Sequence, residues 1–147
     1  MGEIEVTSHA AQVKRATEKA MKKAAEMIGG TLAGHAIEYC PVDTGLLRNS
    51  ITYAIGGEAP KLTTYKSNDR DKNNKPIEVK EGTYSGTAPQ DDNGTVTVYV
   101  GTNVQYAPYQ ELGAPNINLP ARPYLRLAFE NHRDEIEQII DKTLGKL

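Results

Sequence analysis

Thr95-Val96-Thr97-Val98-Tyr99-Val100 decides the fold class. Val96, Val98 and Val100 alternate with Thr97 and Tyr99, the two-residue period of a strand, and β-branched residues suit a pleated surface. Gly101 ends the run. A shorter alternation lies upstream. Ile51, Tyr53 and Ile55 fall on one side and Thr52 and Ala54 on the other, which predicts a strand from about Ser50 to Ile55. Helical patterns flank both. The expected class is therefore α+β, with a long N-terminal helix and a C-terminal helix packed on one face of a small antiparallel sheet.

Ser8 to Tyr39 reads as the N-terminal helix. Alanine, the best helix former, is abundant there. Met21, Ala24, Ala25, Ile28, Leu32, Ala36 and Tyr39 recur at steps of three and four and make one apolar stripe. A helix of that span is ~45–50 Å long, so part of it is expected to project or to pack on another subunit. Gly29-Gly30 and Gly34 are weak points that mark a bend or let another group come close. Pro41 stops the helix, and Asp43-Thr44-Gly45 is a turn signal. At the other end, Leu125, Phe129, Ile136, Ile139, Ile140 and Leu144 predict one amphipathic helix, with Pro123 at its first helical position.

The length of 147 residues suits a single domain, 1–147, with no internal repeat. Residues 56–94 are the least patterned part. They hold seven acidic and six basic residues and three prolines. Leu62 to Tyr65 and Ile77 to Val79 are placed to pair as two short strands, giving a hairpin-like arm within the domain. An unstructured stretch of this length is uncommon inside a compact domain. The expectation is an arm that a neighbouring subunit orders, with Leu62, Tyr65, Ile77 and Val79 as its contact residues.

Composition narrows the function classes. The net charge of −2 provides no global basic field for nucleic acid or membrane. No apolar run approaches the ~20 residues that cross a bilayer. The N-terminus lacks the charged-then-apolar pattern of a signal peptide, and the single Cys40 excludes an internal disulfide. A soluble subunit used in a cytoplasm is expected. The core is modest, with no Trp and one Phe. Cores of that kind often depend on partners to bury the remaining apolar surface.

Candidate chemistry is sparse. His9, His35 and His132 have no metal-ligand spacing and read as helix-surface or packing histidines; no metal and no cofactor are expected. Cys40 lies five residues from His35, so the two do not share a helix face and a His-activated thiol is not expected. The single Asp-Thr-Gly triplet follows a helix, unlike the paired carboxylates of an aspartic protease. A hydrolase built on Asp43 and Glu111 needs a partner group that the sequence does not supply. The Lys and Arg residues of the first helix could touch DNA phosphates, but Glu18 and Glu26 dilute them and no aromatic residues are interleaved. A solvated face, or pairing with Glu130, Asp134 and Glu137 of the last helix, is the simpler reading.

Three segments carry a family resemblance: Pro41-Val42-Asp43-Thr44-Gly45-Leu46-Leu47-Arg48-Asn49-Ser50, Tyr106-Ala107-Pro108-Tyr109-Gln110-Glu111-Leu112-Gly113 and Pro120-Ala121-Arg122-Pro123-Tyr124-Leu125-Arg126. Together they resemble the small tail-component proteins of long-tailed bacteriophages, typified by the tenth-gene product of a lambda-like coliphage. The resemblance implies a virion subunit of the neck or tail, not an enzyme, assembled in the host bacterial cytoplasm. It implies a ring, of six copies by the six-fold symmetry of long tails, that completes the tail or joins head to tail. The implied neighbours are a head-closure or connector protein and a tail-tube or tail-terminator protein. DNA would meet it only in passing through the ring lumen. By the same resemblance Asp43, Thr44, Gly45, Leu47, Arg48, Ser50, Tyr106, Ala107, Glu111, Gly113, Pro120, Arg122, Pro123 and Tyr124 are structural or interface residues. Glu111 is expected to be a buried carboxylate that anchors a loop or pairs with Arg122 or Arg126. The long arm is the departure from the family pattern. A DNA-binding module with a basic helix is the alternative.

Overall fold

The computed structural model describes residues 3–9, 15–41, 45–68, 70–75, 78–92 and 94–145. In chain order the elements are β1 (Glu3–His9), α1 (Arg15–Tyr39), α2 (Leu46–Ser50), β2 (Thr52–Ile55), β3 (Thr64–Lys66), β4 (Glu81–Thr83), β5 (Thr95–Gly101), α3 (Ala107–Leu112), α4 (Tyr124–Glu130) and α5 (Arg133–Leu144). The class is α+β, with an antiparallel sheet of order β1-β5-β2 and a separate hairpin of β3 and β4.

β5 is the central strand, as its alternation suits. In register, Val98 pairs with Val6 on one neighbour and Ile55 on the other, and Val100 with Ile4 and Tyr53. Val96, Val98 and Val100 join Met21, Ala24, Ala25, Ile28, Leu32 and Ala36 of α1 in one core. The stripe read from the sequence is thus the face that α1 lays on the sheet. Gly29 sits where the ring of Tyr53 presses on the helix, and a side chain there would overlap that ring. Gly34 faces open space. α4 and α5 pack on α1 and complete the core with Tyr124, Leu125, Ala128, Ile136 and Ile139.

Four expectations are corrected. Ser8 and His9 belong to β1, and α1 starts at Arg15. It spans 25 residues, so at 1.5 Å per residue it is ~37 Å long. Tyr39 is not part of the buried stripe: it is 37% exposed. The strand expected from Ser50 starts at Thr52 instead, because Ser50 ends a helical turn over residues 46–50 that Gly45, with φ 77°, leads into. The last helix is two helices. The chain breaks at Asn131-His132, Pro123 sits at the N-cap of α4, and His132 at the N-cap of α5.

The hairpin also differs in register. Its strands are β3 and β4, paired Thr64 to Thr83 through Lys66 to Glu81. Leu62 lies just before β3 and Val79 just before β4, where Val79 is 48% exposed; Ile77 lies outside the described residues. The flanking chain is fastened to β2 and across itself. Lys61 N–H donates to Tyr53 O at 3.0 Å, Leu62 N–H to Thr52 Oγ1 at 3.1 Å, and Ala88 N–H to Glu58 O at 2.8 Å. The tip is held by Asp71, whose Oδ1 accepts the N–H groups of Asn73 and Lys75 at 2.8 and 2.9 Å.

Candidate assembly interface

After β5 the chain makes a long excursion before α4. Three features fasten it. Gly113 ends α3 with φ 79°, and a Cβ there would lie 2.9 Å from Ala121 N, so the returning chain requires glycine. Arg122 N–H donates to Gln110 O at 2.7 Å. Glu111, 8% exposed, then accepts the N–H of Leu125 at Oε2 and of Arg126 at Oε1, both at 3.0 Å. Those donors belong to the first turn of α4, which Pro123 leaves without a side-chain cap. A negative charge there satisfies orphan N–H groups and complements the helix dipole. Glu111 is therefore a remote helix cap. Arg122 and Arg126 are exposed, and no ion pair joins Glu111 to them among the described residues.

The buried side of this latch is Ala107, Glu111 and Tyr124. Tyr124 is fully buried, its hydroxyl has no hydrogen-bond partner among the described residues, and burial pushes its pKa well up. The outer side is apolar. Tyr106, Tyr109 and Leu112 follow at three-residue steps along α3 and are 37%, 57% and 77% exposed; Ile117 in the next turn is 67% exposed. That spacing places the three on one face. Pro120 is exposed at the loop's return.

The upstream motif does different work. Asp43 and Thr44 lie outside the described residues. Asn68 lies against Gly45, where a side chain would otherwise stand. Leu47 is buried and Arg48 exposed. Ser50, with no exposed surface, donates to Leu47 O at 2.6 Å and pairs with Thr102 Oγ1 at 2.5 Å. Its carbonyl accepts the Tyr84 hydroxyl at 2.7 Å, and that hydroxyl accepts Asn103 N–H at 3.1 Å. The Tyr65 hydroxyl bonds the Asn103 side chain, whose amide donates to Thr83 O at 2.8 Å. Burial raises the pKa of both Tyr84 and Tyr65. Ser50 thus ties the hairpin base to the end of β5. Tyr84, Thr102 and Asn103 were not singled out from the sequence; polar loop residues carry no periodic signal.

The structure also joins His35 and His132, which the sequence reading left apart. Their rings stack with centroids 3.5 Å apart, and both approach Glu135. Burial pulls the His35 pKa down, but bonds to Glu135 and Glu38 outweigh it and leave the group above its ordinary value. The bond from His35 holds Glu135 below its ordinary value.

A family model described as "Bacteriophage HK97-gp10, putative tail-component" matches residues 5–113, well over half of the chain. The chain belongs to this HK97-gp10-like family of bacteriophage tail components. The matched span takes in β1 from Glu5 onward, β2, β5, Gly45 to Ser50 and Tyr106 to Gly113, and stops before Pro120 to Arg126. No curated protein and no solved structure matches significantly. Membership makes the protein a structural component of the phage tail and hence of the virion. Among the described residues no helix is long and apolar enough to cross a membrane.

Proposed function

We propose that the protein is a ring-forming tail-completion or head–tail joining subunit, and that α3 and the turn after it supply the contact between copies. The observation that carries this is the exposed apolar strip of Tyr106, Tyr109, Leu112 and Ile117 on a loop that Glu111 holds rigid. Large exposed apolar groups on a preorganised loop are what an interface needs, because little ordering cost remains on binding. Heterologous contacts of this kind close into rings when the rotation permits, and the six-fold symmetry of long tails favours six copies. The ring's neighbours are then a head-closure or connector protein above and a tail-tube or terminator protein below, with DNA passing through the lumen. The protein is not read as an enzyme, since both oxygens of Glu111 are engaged by α4.

Leu112→Glu tests the contact. Leu112 is 77% exposed, so the melting temperature should hold. Self-association measured by sedimentation should weaken about tenfold or more, the loss typical of a buried interface anchor. An unchanged association constant would remove α3 from the interface. Deleting the gene from its phage tests the role: filled heads and separate tails are expected, and normal joined virions would overturn it.

A further inference from the structure

We propose that His35, His132 and Glu135 form a binding site for a divalent transition-metal ion of the zinc class, clamping α5 onto α1. The ligating atoms converge: one ring nitrogen from each of His35 and His132 and a Glu135 carboxylate oxygen all lie within 4.8 Å of one another. His35 Nε2 is 2.9 Å and His132 Nδ1 3.4 Å from the same oxygen, Oε2. Two imidazoles and one carboxylate suit zinc or nickel and do not suit magnesium or calcium, which take oxygen ligands. Three protein ligands leave a fourth position for water.

The surroundings have the layout of an outer ligand shell. In metal sites the second nitrogen of a ligating histidine donates to a carboxylate, backbone carbonyl or water, which fixes tautomer and aim. Here His35 Nδ1 faces Glu38 Oε2 at 3.4 Å, and His132 Nε2 faces the Tyr39 hydroxyl at 3.2 Å. Asn131 Nδ2 in turn donates to that hydroxyl at 3.4 Å. Each ring therefore has one nitrogen engaged outside the cluster and one directed into it. The supports are rigid. His35, Glu38 and Tyr39 share α1, while His132 and Glu135 stand three residues apart where α5 begins. The two imidazoles and the carboxylate are 20%, 24% and 46% exposed, so an ion can enter from solvent. The rings are parallel within 6°. Binding therefore requires one ring to tilt about its Cβ–Cγ bond, a soft torsion for histidine.

The test uses the full chain, stripped with chelator and titrated with ZnCl2, NiCl2 or MgCl2. One equivalent of zinc should bind and raise the melting temperature, because an ion held only by the folded state stabilises it. Magnesium should do neither. His35→Ala and His132→Ala should abolish binding, and Glu38→Gln should weaken it about tenfold, the loss expected of an outer partner. Cobalt(II) gives an independent readout in the wild-type protein: intense visible absorption from a low-coordinate N/O site. Absence of both the cobalt bands and the thermal shift overturns the proposal. Zinc binding that persists unchanged in both histidine variants overturns it equally, since the ion would then sit elsewhere.

Discussion

At the scale of single residues, Glu111 shows how a carboxylate can cap a helix from another element. Removing it in Glu111→Ala leaves two N–H groups of α4 without an acceptor, one of them buried. Hydrogen bonds to a charged group carry about 1.5–3 kcal/mol, so a loss of that order is expected in urea unfolding. Arg122→Ala should stay within about 0.5 kcal/mol of wild type, as an exposed side chain whose backbone N–H is retained. Equal effects of the two changes would show that the latch is not held by its carboxylate. Cys40 gives a second prediction. It is 5% exposed, and burial pushes its thiol up to about 11. The thiolate is the reactive form, so a disulfide reagent should modify it only at the rate of unfolding. Rapid labelling of the folded protein would contradict this burial. The sequence revealed the place of Glu111 through its motif, not its partners. Its bonds are to backbone N–H groups, which no residue letter encodes, so the arginine side chains looked like the natural counter-charges.

At the scale of elements, the two ends of α1 were legible to different degrees. The stripe from Met21 to Ala36 is regular and reads as helix on any period count. The strand before it was missed. Ile4 and Val6 alternate with Glu3, Glu5 and Thr7, but two apolar residues make a weak signal, and the partner β5 lies far along the chain. The glycines of α1 follow from the packing. Gly34→Ala fills open space and should stabilise the protein by about 0.5–1 kcal/mol through helix propensity. Gly29→Ala has the same propensity gain but meets the Tyr53 ring, so it should destabilise. Thermal melts of the pair decide the matter: the same sign for both would mean that Tyr53 does not bear on the helix. The hairpin has its own test. Tyr84→Phe removes the hydroxyl that links Ser50 to Asn103. Trypsin should then cut at the exposed Arg70 or Lys72 faster than in wild type, and an equal rate would mean the hairpin base is held elsewhere.

At the scale of the whole molecule, the chain closes its sheet late. β1 and β2 both come early, and neither pairs with the other; β5 enters between them. The α+β class was legible because β5 alternates so cleanly. The order of strands was not, since long-range pairing leaves no local mark. This order has a consequence for synthesis on the ribosome. Until Gly101 has left the exit tunnel the three-stranded sheet cannot close, and the apolar stripe of α1 lacks the strand it packs on. Until Leu125 follows, Glu111 has no helix to cap. The emerging chain is thus committed to a period in which it carries open strand edges and a bare helix face. The strand that unites the fold also sets the length of that exposure.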